Sequence, residues 1–529
     1  MKKFMDQVLT PQWFALCYLP FLAINMMQPI NPMMFTRVLL AVFAVWGVAV
    51  AAKCYFTGKE IWVKKYLPIL LCFLAVCLAT EVINFRYGGV RVIGEWCFFA
   101  ICILILYTQN HADVEGYAKL LKRIGAVLGA IITVMMLISL WMCVTMYTQK
   151  VTLRSGTVLT IGFTKNRLFG VFSSPNVGGL FAMILIWCSI INLYLRRDKK
   201  KTYPIWIAVS TLQILLAMGY ISVALSYGTY LLGFAFVVVF CLLRPAFRFE
   251  GNLRVWQRYG VRIVSVVLAV ALCAGLISVS HSVLLKMMQN HYDRTSQSVE
   301  VPVESTPATA TEKTEEKKAE KTTEAAKDSE NQKEEKKADK EAVDKRAEIL
   351  ENAKQGFDGR VEEKKGNRDL SNKRLDIWKY HIEIITGKNI LLGVNDPLIY
   401  FQQNSEQGME FTREQRTLIK WASGNMHNGY LQIYVNCGIV ALGLMLVFLL
   451  ICFVKCLGMF FRGVKHNMEA DNLQYTLFAL STPMVVCILV DNLVETNFVL
   501  MGANFFQAVF WFAAGICVFC VIQKRKETK

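Results

Sequence analysis

Twelve apolar runs, each about 20 residues long, leave this chain few folds to adopt. They lie near 12–30, 33–52, 66–82, 92–109, 124–147, 169–194, 203–220, 222–243, 262–284, 428–454, 473–491 and 500–521. A helix gains about 1.5 Å per residue and a bilayer core is roughly 30 Å thick, so each run has the length of one crossing. The tract 203–243 is too long for one crossing and divides into two. With 54% hydrophobic residues in 529, the chain carries more apolar surface than one or two soluble cores could bury. The expectation is an all-α polytopic membrane protein with about 12 transmembrane helices. Met1, Lys2 and Lys3 lead into a long apolar span without a small-residue cleavage site, as in a retained anchor.

Lys and Arg placement orients the spans. With the N-terminus inside, the cytoplasmic segments hold Lys53, Lys59, Lys64, Lys65, Lys119, Lys122 and Arg123. They also hold "RRDKKK" (196–201), the basic stretch 244–262, "KCLGMFFRGVKH" (455–466) and the tail "QKRKETK". The opposite loops carry chiefly Arg86, Arg91, Lys150, Arg154, Lys165 and Arg167. Both termini are therefore expected in the cytoplasm, with one large loop, 285–426, outside the cell membrane. Much of the +18 charge is a topology signal, and nucleic-acid binding has no support. The sixteen cysteines fall within or beside the spans and none lies in 285–426, a distribution expected of small buried hydrophobes and not of disulfides.

The large loop changes character along its length. From about Ser296 to Lys345 it is Thr, Ala, Glu and Lys, with no aromatic residue between Tyr292 and Phe357. Such a composition cannot offset its ordering entropy, so 285–368 reads as a disordered low-complexity insert, at most transiently helical through Glu–Lys pairs four apart. In the stretch after 369, Ile377, Trp378, His381, Ile384 and Ile385 recur at helical spacing. They predict a short amphipathic helix capped by Ser371 or Asn372, followed by turns at "TGKN" and "GVNDP". Residues 369–426 are expected to form a lid over a membrane domain built from 1–284 and 427–529.

Three segments bring polar groups to the outer boundary. In "NRLFGVFSSPNVGGLF" Arg167 stands at the mouth of the sixth span, with Ser173, Ser174 and Asn176 behind it. Pro175 is expected to remove a helical hydrogen bond and loosen that span, which is tolerated where backbone faces protein or a wet cavity. Arg374 lies on the lid helix. In "GNMHNGYLQIYVNCGIVALGL" Asn428, Gln432 and Asn436 are four apart and form one polar ridge, a pattern that also glues helices together. His427 sits at the outer end of that span, where glue is least needed.

An imidazole takes a proton near neutral pH, and guanidinium forks fit phosphate oxygens. A base beside two phosphate clamps suggests transfer of a group away from a diphosphate, and lipid-borne diphosphate sugars are the substrates expected at an outer leaflet. No P-loop, HExxH, DxD or paired Cys/His metal spacing is present, so no metal or cofactor is expected. Fixed cations would stabilise the leaving diphosphate.

These segments, in this order, resemble the bacterial O-antigen ligase and polymerase superfamily of membrane glycosyltransferases. The likeness is carried by "RLFGVFSSPN" (Arg167, Gly170, Pro175, Asn176), "RLDIW…LLGV" (Arg374, Trp378, Gly393) and "HNGYLQIYVNCGIVALGL" (His427, Asn428, Leu431, Gly438). The resemblance implies a glycosyltransferase-C-like fold acting on a polyprenyl-diphosphate-linked glycan. It implies that His427 deprotonates or orients the acceptor hydroxyl of a glycan or lipid-linked acceptor, with inversion. It further implies that Arg167 and Arg374 hold the donor diphosphate, and that Asn176, Asn428, Gln432 and Trp378 bind substrate. Many members have Ser-Arg-Gly where this chain has Ser226-Tyr227-Gly228, leaving Arg86, Arg91 and Arg154 as candidate replacements. Ligase and polymerase share these residues. A flippase for lipid-linked glycans would instead show two related halves with helices broken at matching places, and no such repeat is visible.

Overall fold

The structure is a computed structural model that describes residues 7–30, 34–57, 66–108, 113–152, 158–164, 167–297, 344, 346–351, 354, 374–386, 390–406, 412, 413, 415, 417, 425–496 and 504–523. In chain order the helices are α1 (Pro11–Asn25), α2 (Met34–Thr57), α3 (Leu67–Ile83), α4 (Gly89–Ile101), α5 (Val114–Val144), α6 (Pro175–Leu195), α7 (Tyr203–Ala224) and α8 (Tyr227–Leu243). There follow α9 (Val255–Gln297), α10 (Arg374–Thr386), α11 (Pro397–Glu406), α12 (Gly429–Lys465), α13 (Leu473–Asp491) and α14 (Phe505–Ile522). Among the described residues nine helices are long and apolar enough to cross a membrane, α4 counted with its π-helical continuation to Tyr107. Helices α1, α3 and α8 match the remaining apolar runs but are shorter, at 15, 17 and 17 residues. The chain is a multi-pass membrane protein.

Capping side chains set where several of these helices begin. Asp113 accepts from Gly116 N at the start of α5, Ser174 from Val177 N at α6, and Asn472 from Tyr475 N at α13. Each satisfies a first-turn N–H that nothing in the helix could reach. Helices α6 and α14 lie at the centre, buried along nearly their whole length. The outward faces of α2 and α9 remain apolar and exposed, as a lipid-facing surface should.

Four features depart from the sequence reading. First, residues expected as a plain outer loop form a three-stranded antiparallel sheet, β1 (Thr148–Thr152), β2 (Val158–Thr164) and β3 (Arg167–Gly170), in the order β1-β2-β3. Arg167 therefore begins a strand and lies outside the sixth helix. Second, Pro175 does not loosen that helix. It occupies the first turn behind the Ser174 cap, where its missing N–H has no helical partner to lose. Third, α9 runs on to Gln297, through residues assigned by sequence to the start of the insert. At about 65 Å it is twice as long as a hydrocarbon core is thick. Residues 298–343 and 355–368, the greater part of that insert, lie outside the described residues, as do Ser371 and Asn372, the candidate caps of the amphipathic helix that follows it.

Fourth, the tenth span is broken. Within α12, Gly438 has φ 82° and ψ 179°, which no helix contains. The carbonyl of Val435 accepts from Val394 N at 2.9 Å, and that of Asn436 from Asn395 N at 3.0 Å. In exchange Ile439 N donates to Ile390 O at 2.9 Å. The "LLGVN" segment thus takes the hydrogen bonds that the helix gives up, as a break at membrane depth requires. Side chains are excluded on both sides of the contact: a Cβ on Gly438 would overlap the Leu391 carbonyl, and one on Gly393 (φ 67°) would stand 2.6 Å from Asn436 O. Through this junction residues 390–395 are pinned to the helix that His427 precedes.

Candidate active site

Five chain segments meet at one end of the bundle: the start of α6, the α7–α8 corner, the start of α10, the loop 425–428 and the turn 492–496 after α13. Glu495 is the residue they share. Its Oε1 accepts from Asn176 Nδ2 at 2.7 Å and faces Arg374 Nη2 at 3.2 Å, while its Oε2 stands 3.3 Å from His427 Nδ1. Asn176 in turn accepts from the Ser226 hydroxyl, which also caps α8.

Burial alone would push the Glu495 carboxyl up. The His427 hydrogen bond, the Arg374 charge and the Asn176 amide outweigh it and hold the group below its ordinary value. Glu495 is therefore an anion at neutral pH. An anion can only accept, so His427 Nδ1 is the donor in this contact, which in a neutral imidazole puts the lone pair on Nε2.

His427 is held by its backbone as well. It adopts φ 47°, a left-handed conformation costing on the order of 1–2 kcal/mol for a residue with a Cβ. Its N–H donates to Asn425 Oδ1 at 2.7 Å, and Thr496 Oγ1 donates to the same oxygen at 2.9 Å. On the next residue, Asn428 caps α12, accepting from Tyr430 N and Leu431 N, and its Nδ2 donates to Leu493 O.

The residues singled out by sequence fall into two groups. Asn176, Arg374 and His427 converge on Glu495. Arg167 lies beside them, its Nε donating to Ala224 O at 3.1 Å, two residues before Ser226. Gln432 and Trp378 sit behind the site. Gln432 is fully buried, with Oε1 accepting from Met426 N at 2.9 Å and Nε2 donating to Asn436 Oδ1 at 2.8 Å. Trp378 Nε1 donates to Met426 O at 2.6 Å. Both side chains grip the residue before His427. Arg86 stacks over Tyr87 and Arg91 pairs with Asp396 at 2.7 Å, so both serve the α4–lid contact; Arg154 lies outside the described residues.

In the sequence Glu495 stands with Asp491, Asn492 and Asn497 around the end of the eleventh span, polar residues read there only as groups that could touch sugar.

The sequence model of the O-antigen ligase family matches residues 168–446 of this chain. The match takes in Asn176, Arg374, Trp378, His427, Asn428 and Gln432, and leaves Glu495 outside. No curated protein matches the chain.

Proposed function

Because the chain belongs to the O-antigen ligase family, a family of membrane proteins acting on lipid-linked glycans, we infer that it transfers a glycan from an undecaprenyl-diphosphate carrier to an acceptor hydroxyl. The outer face of the cytoplasmic membrane is the place that the Lys/Arg pattern favours. The observation that carries this reading is the single carboxylate of Glu495, which faces a base, His427, and a phosphate-binding cation, Arg374.

In this mechanism the acceptor oxygen attacks the anomeric carbon and its proton passes to His427 Nε2. The new bond forms between that oxygen and the anomeric carbon. The bond from the anomeric carbon to the diphosphate oxygen breaks, and carrier diphosphate leaves with the electron pair. One displacement inverts the anomeric centre. Glu495 fixes the imidazole tautomer and stabilises the imidazolium that forms. Arg374 uses one edge on Glu495 and has further N–H donors for the leaving diphosphate, with Arg167 supplying a second fork. Asn176 keeps Glu495 in place, and Asn428 holds the helix start to the turn that carries it. Trp378 and Gln432 act through Met426, by holding His427 in its unfavourable backbone conformation.

Transfer of a radiolabelled lipid-linked repeat by the purified protein tests this. His427→Ala is expected to lower the rate by about 10²–10⁴-fold, the usual contribution of a general base, while the protein still inserts and folds. Undiminished transfer by that variant removes His427 from the chemistry. Carrier lipids from cells lacking the protein separate the finer readings. Long glycans stranded on the carrier indicate a ligase, single repeats a polymerase, and repeats trapped at the cytoplasmic leaflet a flippase.

A further inference from the structure

A cavity opens at the same end of the bundle, across the small sheet from Arg167. It measures about 470 Å³, within the range of small-molecule sites, and Trp141, Tyr147, Thr148, His291 and Arg346 line it. Trp141 and Tyr147 are 58% and 37% exposed, with ring centroids 6.2 Å apart and planes tilted by 33°.

An exposed Trp or Tyr at a membrane boundary is ordinary by itself. Trp141 does end the exposed apolar stripe of Val134 and Leu137 on α5, but the rest of the lining is not that of an aromatic belt. His291 lies in the last turns of α9, beyond the length that a hydrocarbon core accounts for, and Arg346 comes from the chain that returns from the insert. That returning chain is anchored next to the cavity by Leu350, which is buried in the main core. The aromatic wall is fixed too. Tyr147 N donates to Met142 O at 2.9 Å, Tyr147 O accepts from Phe163 N at 2.8 Å, and its hydroxyl donates to Gln149 Oε1 at 2.7 Å. The result is a preformed concavity with two open ring faces, a hydroxyl, an imidazole and a guanidinium.

We propose that this cavity is a glycan subsite, binding pyranose residues of the transferred chain at a distance from the bond being made. This rests on the transfer reaction inferred above. A sugar ring has an apolar C–H face and an equator of hydroxyls. Trp141 and Tyr147 offer surface to the first, His291 and Arg346 offer polar N–H groups to the second, and Thr148, whose hydroxyl donates to the Phe163 carbonyl, can add an acceptor. Thr148 opens β1, β1 pairs with β2 and β2 with β3, where Thr164 stands opposite Arg167. Two strand spacings, about 10 Å, separate the outer strands of this sheet. Sugars a few residues from the carrier diphosphate would therefore cross the sheet and reach the cavity, whereas a single repeat would not.

The test uses detergent-purified full-length protein and, as probe, the oligosaccharide released by mild acid from the carrier-linked glycan of cells lacking the protein. Trp141→Ala and Arg346→Ala are expected to weaken binding by about tenfold, a loss of one stacking or charged contact, and Trp141→Phe to restore most of it. With a carrier bearing several repeats, KM should rise by a similar factor at unchanged kcat, while a single-repeat donor is transferred as by the parent protein. Unchanged binding and KM overturn the proposal. So does an equal fall with both donors. Loss of co-purified anionic phospholipid with unchanged oligosaccharide binding also overturns it, and assigns the cavity to a lipid headgroup. Wild-type protein that binds the oligosaccharide but transfers nothing leaves the subsite standing and removes the transfer reaction.

Discussion

Two arginine–glutamate pairs sit at opposite ends of this bundle, and their surroundings differ. Arg244 and Glu250 meet at 2.7 Å with side chains 4% and 0% exposed. Glu250 also accepts from Phe247 N, Arg262 donates to the Leu242 and Arg244 carbonyls, and the Arg244 guanidinium lies 3.9 Å from the Phe247 ring. These contacts tie the chain between α8 and α9 to itself, and little of the pair faces outward. Arg374 and Glu495 meet at 3.2 Å with side chains 22% and 17% exposed, and the third member, His427, is 28% exposed. This second cluster leaves part of its guanidinium and its imidazole open to the outside. The same two residue types make a clip where they are enclosed and, in the transfer proposed above, a reactive centre where they are open.

Removing one carboxylate from each pair should separate the roles. Glu250→Ala leaves a buried arginine without its partner, which costs about 3–5 kcal/mol. Its thermal unfolding, followed by a thiol-reactive dye that reports the many buried cysteines, should come well below that of the parent. Glu495→Ala should barely move that transition, because its partners reach water, yet it should lower the transfer rate strongly. If Glu495→Ala unfolds the protein as Glu250→Ala does, the two pairs are equivalent and the contrast collapses.

The broken tenth span sharpens the contrast, because it couples fold and site. Gly438→Ala places a Cβ at φ 82°, ψ 179°, a region almost confined to glycine, and against the Leu391 carbonyl. A loss of about 2–3 kcal/mol in docking the lid is expected. Limited proteolysis should then cut within α10 or α11 faster, and transfer should fall, since Trp378 no longer reaches Met426. Unchanged proteolysis would mean that the "LLGVN" segment is not what holds the lid.

A smaller effect is expected from Glu495→Gln, which still accepts from His427 Nδ1 but without charge. The difference between a charged and a neutral hydrogen bond is about 1 kcal/mol, or roughly fivefold in rate. A loss as large as that of His427→Ala would show that the carboxylate does more than orient the imidazole.

The bundle was legible in the sequence because a bilayer demands long apolar runs, and Leu, Val and Phe write them plainly; each of the twelve runs became a helix. The sheet was not legible. Its strands are four to seven residues long and pair with one another, so no single one carries a strong period. At the site, His427 and Asn176 stood out because polar groups at helix ends are conspicuous against apolar neighbours, whereas Arg374 lies in a polar stretch and stood out through the "RLDIW…LLGV" likeness. Glu495 is equally polar, but its meaning lies in three partners 68, 121 and 319 residues away. The break at Gly438 was hidden for a similar reason: a glycine in an apolar run looks like ordinary helix until the segment that replaces its hydrogen bonds is seen.

The lid helix carries the mildest test, through a histidine outside the reactive cluster. His381 on α10 is buried, its Nδ1 lies 2.7 Å from the Ile377 carbonyl, and burial pushes its pKa down to about 4. The folded lid therefore holds this imidazole neutral, whereas an undocked lid would let it protonate near its ordinary value of about 6.5. Between those values the undocked state binds more protons, so docking weakens as pH falls below about 6.5 and the loss levels off near 4. From pH 7 to 5.5 the cost is about 1 kcal/mol, since one pKa unit corresponds to about 1.4 kcal/mol. Protease sensitivity of α10 should rise over this range, and His381→Phe, which cannot take a proton, should flatten the dependence. A variant that keeps the full pH response would place the titrating group elsewhere, and the carboxylates at this contact, Glu81 on α3, Glu95 on α4 and Asp396 just before α11, would be the next to substitute.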